Sequence, residues 1–171
     1  MQTDQAVFLL NNLLPGVESE AQTTKKVIAA IPEGKADYRP DPKSKTADEL
    51  AWHLVSSEIW FLDGIASGKF REEDPGRPAE LKTPADLVAW YETNLAAGIE
   101  KVKAMPPEKL AETLSFYGIF NHPAVTYLSF LTVHSVHHRG QLSTYLRPMG
   151  GKVPSIYGGS ADEPFQMPEG A

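Results

Sequence analysis

Residues 134–147 read HSVHHRGQLSTYLR, and three of the chain's five histidines fall within the first five of these positions. The nearest prolines are Pro123 and Pro148. Proline is accepted in the first turn of a helix and poorly tolerated in its interior. The spacing therefore predicts a helix that opens at Asn121 or His122, carries Pro123 in its first turn and runs to Arg147. Helical residues advance by ~100° each, which puts His138 ~40° from His134. Tyr127, Leu131, Leu142, Tyr145 and Met149 fall within roughly the same 80° sector. His134 and His138 thus lie one turn apart on an apolar stripe. His137 lies ~60° to the other side, in line with Val133, Gln141 and Thr144, and is the less buried of the adjacent pair.

The same punctuation extends outward. Thr46, with Glu49 three residues on, forms a capping box that opens a second helix, and Gly68 stops it. A third opens at Thr83 with Pro84 at its first position and ends near Met105, before Pro106 and Pro107. A further helix spans Gly16–Ile31, preceded by a short one over Gln5–Leu14 and broken from it at Pro15. Leu114–Phe120 does not alternate and reads as a short extended segment at most. Residues 149–171, rich in Gly, Pro and Ser, read as an ordered loop that frays towards its end. Four long helices in one domain over 1–171 give an all-α expectation, an antiparallel four-helix bundle.

Composition narrows the function. The 171 residues carry sixteen Lys and Arg, scattered, against twenty-two acids, for a net charge of −6. Nucleic-acid binding wants a basic patch, so no nucleic-acid partner is expected. No apolar run approaches the ~18 residues a membrane span requires. The N-terminus lacks the basic and apolar regions of a secretion signal, which makes the cytoplasm the expected location. There is no cysteine. Disulfides, thiolate metal sites and a cysteine nucleophile are excluded together, and any metal site must be built from histidine and carboxylate.

Two imidazoles at i and i+4 on one helix face start only ~5–6 Å apart and can reach one ion. A third ligand should come from a facing helix. His53, in the second helix, borders the sector of Leu50, Leu54, Phe61 and Ile65, with Ser57 and Gly64 beside it to leave room for an ion or a substrate. Bundle cores build metal sites this way. The competing reading is three packed core histidines. His122 reads as a helix-start residue. Trp52, Trp60 and Trp90 read as core or interface residues, and Glu58 and Asp63 as solvated carboxylates before groups that support the metal ligands. Arg139 and Gln141 either orient a ligand or bridge helices.

Two stretches, DYRPDPKSKTADELAWHLVSSEIWFLDGI from Asp37 and HSVHHRGQLSTYLRPMGGKVPSIYG from His134, carry a resemblance. Together they resemble the DinB/YfiT-like family of metal-dependent proteins, over roughly Gln22 to Gly158. The resemblance implies a four-helix bundle with up-down-down-up connectivity through a long crossover. It implies a three-histidine metal site, mapping onto His53, His134 and His138, with nickel or zinc as the first expectation and iron, manganese or cobalt as alternatives. It also implies homodimers, and transferases or isomerases that use low-molecular-weight thiols.

Three imidazoles leave positions open on an ion, the arrangement of a catalytic site. The expected function is a metal-dependent transferase that acts with a low-molecular-weight thiol on a small-molecule substrate. A metal-dependent hydrolase is the alternative within that class, and a non-catalytic stress-associated binding module of dimers is the alternative outside it. Ser57, Glu58, Tyr145 and residues 153–158 are the expected substrate contacts.

Overall fold

A computed structural model describes residues 1–72 and 76–165. Four long helices dominate it: α1 (Thr3–Ala29), α2 (Ala47–Ser67), α3 (Pro84–Lys103) and, after a short α4 (Pro107–Ala111), α5 (Tyr127–Leu146). Between α4 and α5 lie strands β1 (Thr113–Phe116) and β2 (Phe120–Pro123) and one 3-10 turn (Ala124–Thr126). Each long helix packs against two others, in the cyclic order α1, α3, α2, α5. Their apolar faces meet in one core that includes Leu14, Val17, Ile28, Leu54, Leu62, Leu87, Leu131 and Leu142.

The helix starts follow local chemistry. Thr46 Oγ1 accepts from the Glu49 amide (3.1 Å), and the Glu49 carboxylate accepts from the Thr46 amide (2.7 Å). Thr83 and Asp86 repeat this reciprocal pair at the head of α3 (3.1 and 2.9 Å). Each box satisfies amides that the first turn would leave without partners. Gly68 ends α2 in the left-handed region at φ 72°, which costs a residue without a Cβ little.

Three local expectations are corrected. First, α1 runs unbroken through Pro15. Pro15 has no amide to offer the Asn11 carbonyl. Both residues are exposed, so water can take the place of the missing donor. Second, Phe120–Pro123 is a strand, and α5 begins only at Tyr127. Pairing of Leu114 with His122 and of Phe116 with Phe120 makes an antiparallel hairpin, turned by Tyr117 and Gly118 at φ 52° and 73°. Stacked Phe116 and Phe120 (4.7 Å) hold it, and Tyr127 Oη donates to the Leu114 carbonyl (2.8 Å) to dock it on α5. Third, His122 consequently lies in β2 rather than at a helix start, with its ring 5.5 Å from that of Phe130.

The chain beyond α5 is ordered over its described part. Val153 and Ile156 pack on the core, and Asp162 accepts from Arg147 Nε and the Val153 amide (both 2.9 Å). The expected frayed end falls on residues 166–171, outside the described residues. Among the described residues no helix is long and apolar enough to cross a membrane.

Candidate metal centre

Packing of α2 on α5 brings His53 to His134 and His138. Ring centroids are 5.1 Å apart for His53 and His134, 4.5 Å for His53 and His138, and 4.3 Å for His134 and His138. One nitrogen from each ring lies within 4.8 Å of the others, a group that could hold a metal ion. His53 Nε2 and His138 Nε2 face each other at 3.2 Å. Two ligands of one tetrahedral ion with bonds of ~2.0–2.1 Å stand ~3.3 Å apart, so this pair already has the spacing of ligands. His137 is exposed.

Neighbours set the ring states. Gln141 Oε1, one turn on, accepts from His138 Nδ1 (2.7 Å), which leaves the lone pair on Nε2, towards His53. Ser57 Oγ stands 3.5 Å from His53 Nδ1. Partners of this kind orient metal-ligating histidines. Burial lowers the pKa of His134 to about 4, with smaller contributions from His138, His53 and His137. Burial also lowers that of His138, partly offset by Gln141. Both rings are therefore neutral at pH 7, the form that binds a cation. His134 Nδ1 is buried with no hydrogen-bond partner. The nitrogen-only donor set, the spacing and this one orphaned atom all fit a divalent ion.

A cleft of about 510 Å³ reaches the cluster at His53 and is lined by Ser57 and by Trp52, Trp60 and Trp90. The three tryptophans, expected in the core or an interface, are only partly buried and pack against the core from its edge. Asp63 also lines the cleft, tied to Arg71 (3.2 Å) and Lys101 (2.9 Å). Gly64 does not open space beside His53. The Phe70 ring fills it, and a Cβ at residue 64 would collide with that ring.

Two expected contacts lie elsewhere. Tyr145 is buried with its ring edge-on to Tyr38 (5.8 Å). Glu58 is not solvated but 1% exposed. It accepts from Tyr91 Oη of α3 through one carboxylate oxygen and from Ser135 Oγ of α5 through the other. Desolvation raises its pKa to about 7, against the lowering effect of both hydroxyls. Arg139 bridges helices. It is 1% exposed and donates to Glu20 and Thr24 of α1 and to the Tyr157 hydroxyl. Within residues 153–158, Tyr157 is thereby turned towards α1, and Tyr157 Oη donates to the Glu20 carboxylate (2.7 Å).

Known proteins share this plan. The uncharacterized protein YrdA of Bacillus subtilis strain 168 is 28% identical over 156 residues, covering 90% of this chain and 91% of its own length. YjoA of the same organism is 23% identical over 142 residues, 82% of this chain and 90% of its own. A crystal structure of a DinB-like protein from Bacillus cereus ATCC 10987 superposes with a TM-score of 0.71 at 25% identity, covering 86% of this chain and 97% of that one. The YjoA crystal structure, also described as DinB-like, gives 0.66 at 20% identity, over 82% and 94%. The sequence model of the DinB family matches residues 1–167. With nearly the whole chain matched, the protein belongs to the DinB family.

Proposed function

We propose that the protein is a metal-dependent transferase in which His53, His134 and His138 hold one divalent ion, nickel or zinc before iron, manganese or cobalt, and a low-molecular-weight thiol is the cosubstrate. The single observation behind the metal is the converging trio, one nitrogen of each ring within 4.8 Å of the others, in which His134 Nδ1 is buried without a hydrogen-bond partner. A hydrogen bond between His53 and His138 would satisfy those two rings without an ion, yet it would leave that atom stranded, at a cost of about 1–3 kcal/mol. A three-histidine ion supplies Lewis acidity at open positions, which lowers the pKa of a bound thiol or water.

The protein's own residues do the rest. Gln141 holds the His138 tautomer, and the apolar surroundings of His134 keep its ring neutral. Ser57 lines the cleft beside His53. The chain has no cysteine, so a reacting thiolate must arrive on a cosubstrate. The cleft at His53 is the place for the second substrate.

Elemental analysis of the purified protein, followed by transfer assays with a panel of small thiols and electrophiles, tests this. The expected result is close to one divalent ion per chain, with metal loss in His53→Ala and loss of transfer in step. Full metal content in His53→Ala overturns the ligand set. Turnover that proceeds without thiol moves the activity to hydrolysis. A metal-loaded protein inert towards the whole panel points to a binding module.

A further inference from the structure

All three tryptophans of the chain line one cleft. Trp52 and Trp90 meet at 5.0 Å with their planes tilted by 55°. Trp60 lies farther along α2, stacked on Phe70 (4.7 Å), with Tyr117 of the hairpin turn beside it (6.2 Å, 17°). The polar ends of these last two rings converge on one acceptor, the Arg71 carbonyl, from Trp60 Nε1 (3.0 Å) and Tyr117 Oη (2.5 Å). Their orientation is thus fixed. From Trp52 to Asp63, both at the cleft, α2 advances eleven residues, about 16 Å of helix axis. The cleft is therefore long rather than round, and its 510 Å³ is in the range of small-molecule sites.

Both of its arginines are paired within the protein. Arg71 is paired with Asp63 (3.2 Å), and Arg77 with Asp48. Arg77 Nε is buried without a hydrogen-bond partner, but an anion would have to displace a paired carboxylate and would also meet Glu72 in the lining, at a cost in buried charge. Uncharged hydrogen-bonding groups remain in Ser57 and Asn94. Indole and phenol faces favour flat partners in offset or edge-on stacks. Such an aromatic surface, left half-exposed next to a reactive centre, is the mark of a ligand groove more than of a packing defect.

We propose that this cleft takes a co-substrate with a flat, uncharged aromatic body, laid along α2 between the Trp52–Trp90 pair and the Trp60–Tyr117 pair. The identification of this body as the partner of the metal-bound cosubstrate rests on the metal reading above. Its binding does not.

Isothermal titration of the purified protein with 2-naphthol, its saturated analogue decahydro-2-naphthol and the anion 2-naphthoate tests the cleft, with metal and after chelation. 2-Naphthol is expected to bind roughly fivefold or more tighter than the saturated analogue, and tighter than 2-naphthoate. Trp52→Leu and Trp90→Leu, which keep apolar bulk, are expected to erase that preference while circular dichroism shows the helices intact. Equal binding of the flat and saturated alcohols, tighter binding of the anion, or an unchanged preference in both variants overturns the proposal. A protein that holds its metal but shows no preference for the flat alcohol overturns this inference alone. One that shows the preference but holds no metal supports it and overturns the metal reading alone.

Discussion

Two polar groups lie where α2 meets α5, one buried and one partly buried, and they are built on opposite principles. In the first, Glu58 of α2 receives a hydroxyl from Tyr91 of α3 and another from Ser135 of α5. Every partner it needs is supplied by the protein, and three helices are tied together. In the second, five residues back on α2 and one back and three forward on α5, the rings of His53, His134 and His138 converge, and His134 Nδ1 finds nothing. Ser135 and His134 are neighbours in sequence, yet Ser135 is fully buried and His134 only partly so. Closure separates them as well: one set satisfies itself and fastens the bundle, and the other keeps a buried nitrogen with no partner from the protein.

The contrast is sharpest at that adjacent pair. His134→Ala is expected to abolish stoichiometric metal, leaving less than about a tenth of an ion per chain at micromolar protein. Ser135→Ala should leave metal content unchanged and lower stability instead. Elemental analysis alongside urea unfolding reads both. If Ser135→Ala empties the site as thoroughly as its neighbour, the two groups are one network and the distinction fails.

The next effect lies on the pH axis. The Glu58 carboxyl is held at about 7 against an ordinary 4.5, chiefly by desolvation. A raised native pKa means that the folded state keeps its proton longer than the unfolded one. The stabilisation is complete below about pH 4.5 and is lost as pH rises through 7. Glu58→Gln removes this dependence. Its stability relative to wild type should climb between pH 5 and pH 8 by at most about 3 kcal/mol. A constant difference across that window would show that the carboxylate is already charged and content within its two hydroxyls.

A smaller effect belongs to the open group. Gln141 touches no proposed substrate and acts through His138 Nδ1. Gln141→Ala is expected to weaken metal affinity by about tenfold, the low end for such a partner because Gln141 is exposed. Competition with a chelator measures it. An unchanged affinity would mean that packing alone sets the ring.

The histidine centre was legible before the fold because its signal is local and periodic. Spacing by four in one helix, one more histidine bordering the apolar sector of another, and threonine caps with acids three residues on all follow from helix geometry. What escaped depends on distant partners. Glu58 reads as a surface acid because the hydroxyls that permit its burial lie 33 and 77 residues away. The hairpin escaped because its aromatic run does not alternate, and its pairing depends on a turn at Tyr117 and Gly118 and on docking against Tyr127. Pro15 marked a break that α1 avoids by turning that position to water. Trp52, Trp60 and Trp90 carried no periodic mark that separates a groove wall from a core.

The smallest effect tests whether the closed group is closed by charge or by shape. Tyr91→Phe keeps the ring and removes one donor to Glu58. At pH 5 the carboxyl is protonated, and the loss should cost about 1 kcal/mol, as for a hydrogen bond between neutral groups. At pH 8 the carboxylate is charged, and the same deletion should cost more, towards 2 kcal/mol, because a charge-assisted bond is then missing. The pH trend is thus opposite in sign to that of Glu58→Gln, and on the Glu58→Gln background the effect of Tyr91→Phe should lose its pH dependence. Metal content should stay at the wild-type level throughout. A metal loss that tracks the stability loss would mean that the Glu58 clasp sets the distance between α2 and α5 on which the three histidines depend.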